Sequence, residues 1–91
     1  MTLDIILSNR FKKDLKLARK RGYNLDLLDE VVTALSTNQI LDDKYCDHPL
    51  NGDYAGFREC HIQSDWLLVY RIDFEEVCLL LSRTGTHSDL F

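Results

Sequence analysis

The first third of the chain changes from a strand-like to a helical spacing of apolar residues. Residues 3–7, LDIIL, combine β-branched and large apolar side chains and predict a short first strand. Residues 9–21 then carry apolar positions at helical spacing, with Ser8 placed to cap the helix and Gly22 placed to end it. The apolar stripe of this first helix is Phe11, Leu15 and Ala18.

A second helix is predicted over residues 25–37, with Asn24 as its N-cap. Its apolar stripe is Leu28, Val31, Val32 and Leu35. Because the link between the two helices is short, we expect an antiparallel helical hairpin. Residues 38–53 look irregular and contain the single proline of the sequence, Pro49.

Three strand-like runs fill the second half of the chain, at residues 54–62, 66–72 and 77–83. The first alternates polar and apolar residues, whereas the other two are nearly continuous apolar runs, as in strands covered on both faces. The segments between them are short enough for hairpin turns. The pattern therefore predicts one α+β domain over residues 1–91, with the order β-α-α-β-β-β and a helical hairpin packed on a four-stranded antiparallel sheet.

Composition excludes several broad classes. Hydrophobic residues make up 45% of the 91-residue chain, too many for a disordered protein. No apolar run approaches the roughly 20 residues needed to cross a bilayer, and the N-terminus lacks the layout of a signal peptide, so we expect a cytoplasmic protein without a membrane partner. The three cysteines are widely spaced and odd in number, which favours buried, reduced thiols over a disulfide framework: Cys46, Cys60 and Cys78.

Charge is distributed unevenly along the chain. The formal net charge is −4, yet the first helix is strongly basic, with Asp14 as its only acidic residue. The basic residues are Arg10, Lys12, Lys13, Lys16, Arg19, Lys20 and Arg21. Such a cluster is typical either of a face that contacts phosphates or of a solvated helix face.

The residues suited to acid–base chemistry lie in the second half of the chain. His48 lies in the irregular segment, His61 shares a strand face with Glu59, Asp65 lies in the next turn, and His87 follows the last strand. If the hairpins pair in register, these residues meet at one edge of the sheet. Imidazoles, a carboxylate and a fixed cation, here Arg83, are the groups that general acid–base catalysis on a phosphodiester requires.

Other roles are open for the same residues. Each histidine can be structural, Arg83 can pair with an acidic neighbour, and Trp66 and Tyr70 are expected in the core. Phe91 can be a core plug or can stack on a base. A zinc site is a further alternative, with the ligands Cys46, His48, His61 and His87, although their spacing is not that of a zinc finger.

Four spaced motifs occur in order along the chain: HPL-x-G, G-F-R-x-x-H, DW-x-L-x-Y and RTGTH-x-x-LF, preceded by the helix FKKDLKLARKRG. In these motifs the sequence resembles the YafQ branch of the RelE/ParE toxin superfamily over nearly its whole length. The resemblance implies a RelE-like fold similar to microbial RNases. It also implies a type II toxin that cuts mRNA in the ribosomal A site, with the 2′-hydroxyl as nucleophile and with neither metal nor cofactor.

The resemblance also implies roles for single residues. His87 would be the general acid and His48 the first candidate for the general base, with Glu59 as the second. His61 and Arg83 would hold the scissile phosphate, Asp65 would orient a histidine, and Phe91 would contact a base or lock the tail. The predicted substrate contacts are Lys12, Lys13, Lys16, Arg58 and Glu59.

The implied partners are mRNA on the ribosome, with its rRNA, and a cognate antitoxin of the RelB or DinJ type, expected to be a ribbon-helix-helix protein. The toxin–antitoxin complex would bind operator DNA through the antitoxin, which makes transcriptional co-repression an additional role. The alternative function is that of a non-enzymatic, ParE-like toxin that binds a protein target.

Overall fold

The computed structural model describes residues 2–91, and within that range the chain forms a five-stranded sheet and three α-helices. The strands are β1 (Asp4–Leu7), β2 (His48–Pro49), β3 (Arg58–Gln63), β4 (Trp66–Asp73) and β5 (Cys78–Gly85). The helices are α1 (Asn9–Lys20), α2 (Leu25–Ser36) and α3 (His87–Leu90). Short 3-10 turns occupy Asp43–Tyr45 and Gly52–Tyr54.

Side-chain caps set the start of both long helices, as the sequence predicts. The Ser8 hydroxyl accepts a hydrogen bond from the Phe11 N–H at 3.0 Å and donates to the Ser82 carbonyl at 2.7 Å. It therefore begins α1 and fixes that helix to β5. Asn24 accepts from the Asp26 N–H at 3.1 Å and begins α2. Gly22 takes a positive φ of 76° and ends α1, a backbone conformation that glycine adopts without strain.

The sheet separates two apolar clusters. One face packs against the predicted stripes of α1 and α2, where Phe11, Val31 and Tyr70 are nearly inaccessible to solvent. The other face carries a smaller cluster of Leu67, Val69 and Leu90. Strand β4 is buried on both faces, which explains its continuous apolar sequence and confirms the core positions predicted for Trp66 and Tyr70.

The α+β prediction is confirmed, but the predicted four-stranded antiparallel sheet is wrong in two details. The strand order is β1-β5-β4-β3-β2, and β1 pairs with β5 in parallel. A parallel pair needs a long connection, and the chain between β1 and β5 includes both long helices. The strand that the sequence did not predict is β2, at the edge of the sheet. It has only two residues, too few to give a periodic signal.

Three local features differ from the sequence prediction. Strand β3 begins at Arg58, because the residues before it include the 3-10 turn at Gly52–Tyr54. The chain ends in α3, which was not predicted. Of the thiols, Cys60 and Cys78 are buried as expected, whereas Cys46 is exposed, and all three are free. Burial raises the pKa of the Cys60 thiol to about 12, which keeps it protonated and unreactive.

No helix formed by residues 2–91 is long and apolar enough to cross a membrane.

Candidate active site

Strand register brings two histidines to the same carboxylate. β2 pairs with β3 so that His48 lies opposite Glu59, and His61 follows two positions along β3 on the same face. The Nε2 atom of His48 lies 3.5 Å from Glu59 Oε1, and the Nε2 atom of His61 lies 3.9 Å from the same oxygen. Glu59 therefore lies between two imidazoles.

Glu59 is almost fully buried, with 3% of its surface exposed. Its Oε2 atom is buried and accepts no hydrogen bond from any group in residues 2–91. A buried acceptor without a donor costs roughly 1–3 kcal/mol or more. Oε1 is therefore the Glu59 atom available to the site, since it is the one that faces both histidines.

The third imidazole is held by the turn between β3 and β4. Asp65 Oδ1 contacts His87 Nδ1 at 2.6 Å and accepts the His87 backbone N–H at 3.1 Å. These hydrogen bonds hold the pKa of the Asp65 carboxyl below its usual range. An ionised carboxylate can only accept, so the Nδ1 atom carries a hydrogen and the Nε2 atom is the free end of the ring.

The His61 ring lies near both other histidine rings. Ring centroids are 6.4 Å apart between His48 and His61, and 5.8 Å apart between His61 and His87. The Phe91 ring lies 6.4 Å from His87 and 5.6 Å from Tyr54. Phe91 is 62% exposed, so it is not the core plug of the tail. That position belongs to Leu90, which is 7% exposed and packs on Leu67 and Val69.

Arg83 lies on β5, on the sheet face that carries Glu59 and His61, and forms an ion pair with α1. Its Nε atom is 2.7 Å from Asp14 Oδ2, and the two side chains are 12% and 13% exposed. Asp14 also accepts the Thr84 backbone N–H at 3.2 Å. The carboxylate raises the pKa of Arg83, which keeps its charge fixed. The acidic neighbour considered from the sequence therefore exists, and a phosphate would have to compete with it.

The remaining predicted substrate contacts lie apart from the histidines. Arg58 bonds Asp47 at 3.1 Å, and Asp47 also accepts the Tyr70 hydroxyl at 2.6 Å. This group lies on the opposite face of β3 from Glu59. The carboxylate of Asp14 bonds Arg83. The α1 lysines predicted to contact substrate are exposed: Lys12, Lys13 and Lys16.

The supporting residues Asp14, Arg21 and Asp89 were not predicted as part of the site. Asp14 and Arg83 are 69 positions apart, and Arg21 and Asp89 are 68 apart, so no local pattern indicates either pair. One local signal was present, since Thr86-x-x-Asp89 is a capping-box sequence. The structure forms that box at the start of α3.

Glu59, His61 and His87 each present one ligand atom, and these atoms lie within 4.8 Å of one another. Imidazole nitrogen and carboxylate oxygen suit Zn²⁺ or Cu²⁺, so these donors fit such an ion. The set differs from the cysteine-containing site considered from the sequence, because the exposed Cys46 thiol instead lies 3.9 Å from the Lys44 carbonyl.

The sequence model of the YafQ family, described as a bacterial toxin of a type II toxin–antitoxin system, matches residues 3–91. The chain belongs to the YafQ toxin family. The mRNA interferase toxin YafQ of Escherichia coli K12 is 40% identical over 89 residues, which cover 97% of this chain and 95% of that protein. All the strands and the C-terminal turn that carry the histidines lie inside the YafQ match.

Solved structures of bacterial toxins have the same fold. A metal-bound toxin from Helicobacter pylori superposes with a TM-score of 0.92 and 52% identity, covering 98% of this chain and 99% of that one. YafQ in the E. coli DinJ–YafQ toxin–antitoxin complex gives a TM-score of 0.90 and 39% identity, covering 100% of this chain and 99% of that one. The RelE-like architecture predicted from the sequence is thus the architecture of known YafQ toxins.

Proposed function

We propose that this YafQ-family toxin is an mRNA interferase that cleaves mRNA in the ribosomal A site. A base removes the proton of the ribose 2′-hydroxyl, and the 2′-oxygen forms a bond to the adjacent phosphorus. The bond from phosphorus to the 5′-oxygen breaks, and an acid protonates that oxygen. The products are a 2′,3′-cyclic phosphate and a 5′-hydroxyl. The observation that carries the proposal is the cluster of three histidines, in which the His61 ring neighbours those of both His48 and His87.

In-line displacement needs the base and the acid on opposite sides of the phosphorus. His48 and His87 would take these positions when the phosphate binds beside His61, which neighbours both rings. His61 then acts as a donor to a non-bridging oxygen, where negative charge increases in the transition state. Arg83, on the same face of the sheet, adds positive charge at longer range, since its guanidinium remains paired with Asp14.

The base side consists of His48 and Glu59. His48 Nδ1 lies 2.7 Å from the Cys46 carbonyl, which can only accept, so Nδ1 carries a hydrogen. In the neutral ring Nε2 is then an acceptor, and it faces the acceptor Oε1 of Glu59 at 3.5 Å. A 2′-hydroxyl beside Nε2 would donate its hydrogen to that nitrogen, and the protonated ring would then donate to Glu59 Oε1. This supports His48 as the base, with Glu59 stabilising the imidazolium that forms.

The acid side consists of His87 and Asp65. With Nδ1 held by Asp65 at 2.6 Å, protonated His87 presents its Nε2–H to the leaving 5′-oxygen. The carboxylate also stabilises the charged ring before the proton is transferred. Phe91, exposed and adjacent to His87, offers a surface on which a base can stack. The exposed α1 lysines are proposed to contact phosphates of mRNA or rRNA.

We propose that cleavage requires no metal, because imidazole and carboxylate groups already fill the acid and base roles. A Zn²⁺ or Cu²⁺ ion bound by Glu59, His61 and His87 would occupy nitrogen lone pairs that proton transfer needs. Cleavage on ribosomes should therefore persist when a Zn²⁺-selective chelator removes transition-metal ions while Mg²⁺ is kept for the ribosome, and added Zn²⁺ should inhibit it. Loss of cleavage under that chelator that Zn²⁺ restores would contradict metal independence.

We propose an antitoxin of the DinJ type as the partner, because the chain aligns over its whole length with YafQ in the DinJ–YafQ complex. The antitoxin would carry the operator-binding part, as a ribbon-helix-helix protein. Co-expression with the product of a neighbouring antitoxin gene should restore growth. If growth remains arrested although both proteins are made, the pairing is wrong.

The proposed reaction is tested by inducing the wild-type toxin and mapping the 5′ ends of cellular mRNA. Wild type should give discrete cuts within translated codons, with 5′-hydroxyl ends. The cleavage rate should fall roughly 10²–10⁴-fold in each variant that removes one group of the acid or base side: His87→Ala, His48→Ala and Glu59→Gln. Glu75→Gln, an exposed position in the β4–β5 turn, is the matched control for Glu59→Gln. Growth arrest without discrete cuts would instead favour a non-enzymatic toxin.

A further inference from the structure

A bidentate ion pair joins the C-terminal end of α1 to the short helix α3. Arg21 Nη1 donates to Asp89 Oδ2 at 2.6 Å, and Arg21 Nη2 donates to Asp89 Oδ1 at 3.1 Å. A bidentate guanidinium–carboxylate pair fixes orientation as well as distance. Arg21 is therefore engaged with Asp89, unlike the exposed lysines elsewhere on the same helix.

The Asp89 carboxylate also shapes the turn that carries His87. Its Oδ2 atom accepts the Thr86 N–H at 2.9 Å, and the Thr86 hydroxyl accepts the Asp89 N–H at 3.2 Å. Asp89 packs so closely on the strand end that a Cβ added to Gly85 would lie 2.8 Å from Oδ2. Arg21 and Thr86 together hold the pKa of Asp89 far below its usual range, so the carboxylate stays ionised.

The helix α3 has only four residues and lies at the chain terminus, where a segment without tertiary contacts frays. Leu90 anchors its buried side, and Arg21 holds its solvent side through Asp89. The contact between His87 and Asp65 forms only when this turn is in place, because Asp65 accepts both the backbone N–H and the ring of His87.

We propose that Arg21 is a positioning residue: through Asp89 it holds the C-terminal turn so that His87 keeps its contact with Asp65. The inference rests on the proposed function, in which His87 is the general acid. Arg21, which directly follows α1, thereby has a role other than phosphate binding and connects the basic helix to the acid side of the site.

The test compares Arg21→Gln, Arg21→Lys and Arg19→Gln. Arg19 is exposed in the last turn of α1, so Arg19→Gln removes the same charge from the same region and leaves Asp89 paired. Hydrogen exchange is measured at the backbone amides of residues 89–91, which donate to carbonyls of the same turn. Steady-state kinetics of mRNA cleavage on purified ribosomes then separate kcat from KM.

In Arg21→Gln, kcat should fall roughly tenfold with KM changed less than twofold, because an ångström-scale displacement of a catalytic group is costly. Exchange at residues 89–91 should be at least about tenfold faster, with the amides of β4 unchanged. Arg21→Lys should recover part of both effects, since one charged donor remains. Arg19→Gln should change KM rather than kcat.

Two results would overturn the inference. If exchange at residues 89–91 is unchanged in Arg21→Gln, the ion pair does not hold the turn. If exchange accelerates but kcat is unchanged, the position of His87 does not limit the reaction. Failure of the proposed function is recognised separately, because either the wild-type toxin would then give no discrete cuts or His87→Ala would cleave at the wild-type rate, whatever the exchange data show.

Discussion

The ion pair between Asp14 and Arg83 gives the sharpest test of how the tail is built. Replacing Asp14 with asparagine keeps the shape of the side chain but removes its charge. The guanidinium of Arg83 would then lack its carboxylate partner while remaining largely shielded from water, since the two side chains are only 12% and 13% exposed. The hydrogen bond from the Thr84 N–H can survive, because the asparagine carbonyl still accepts.

The expected cost lies between two limits. Breaking an exposed ion pair costs about 0–1 kcal/mol, whereas removing one partner of a buried pair costs about 3–5 kcal/mol. The low exposure of Asp14 and Arg83 places them nearer the buried limit, and the retained acceptor reduces the loss. We therefore expect Asp14→Asn to lower the free energy of unfolding by about 2–3 kcal/mol. That is a large share of the roughly 5–14 kcal/mol expected for a chain of 91 residues.

Urea denaturation followed by circular dichroism measures this loss. With a slope of about 1–1.5 kcal/mol per molar urea, the midpoint should fall by roughly 2 M. Asp29→Asn is the matched control: it removes an exposed carboxylate from α2 and should change stability by less than about 0.5 kcal/mol. A loss below about 0.5 kcal/mol in Asp14→Asn would refute the structural role. If Asp14→Asn also cleaves mRNA as fast as wild type per folded molecule, the result would favour an Arg83 guanidinium that is free to bind phosphate.

Three further predictions concern the tail and the acid side of the site. Leu90→Ala should lower the free energy of unfolding by about 3 kcal/mol because its side chain is buried, whereas Phe91→Ala should lower it by no more than about 1.5 kcal/mol, as measured by thermal melts. In cleavage assays Phe91→Ala should lower the cleavage rate by about tenfold. Asp65→Asn should lower kcat by roughly 10²-fold, as the charge that stabilises protonated His87 is lost, and an unchanged kcat would remove Asp65 from the mechanism. Because the pKa of Asp89 is lowered on folding, its stabilisation is fully present above the ordinary aspartate value of about 4 and is lost as the pH falls through the folded value. The carboxyl ¹³C chemical shift of Asp89 should therefore show no titration step from pH 7 to about 4 and should move only below it.

Much of the local structure could be predicted from the sequence, because the determining interactions are local. The caps at Ser8 and Asn24 act within three residues of themselves, and the stop at Gly22 depends on its own φ angle. The apolar stripes of the two helices and the continuous apolar run of β4 follow from periodicity. Strand register then explains why His48, Glu59 and His61 meet at one edge, as expected.

The remaining features depend on contacts between distant residues. Periodicity does not say which neighbour an edge strand takes, so the parallel pairing of β1 with β5 was missed. Asp14 looked like one acidic residue opposing a basic helix, yet its partner is Arg83. The sequence also gave no means to choose between Leu90 and Phe91 as the anchor of the tail, because both are large and apolar and only packing separates them.

The residues of the site are held with unequal rigidity. Glu59 and His61 belong to β3, which pairs with a strand on each side. His48 belongs to β2, an edge strand of two exposed residues, and His87 belongs to a four-residue helix in which Leu90 is the buried residue. Local opening has the lowest free energy where buried apolar contacts are few. We therefore expect that conditions or partners which reduce activity without unfolding the domain act first by displacing His48 or His87, and that Glu59 and His61 keep their positions in the inactive state.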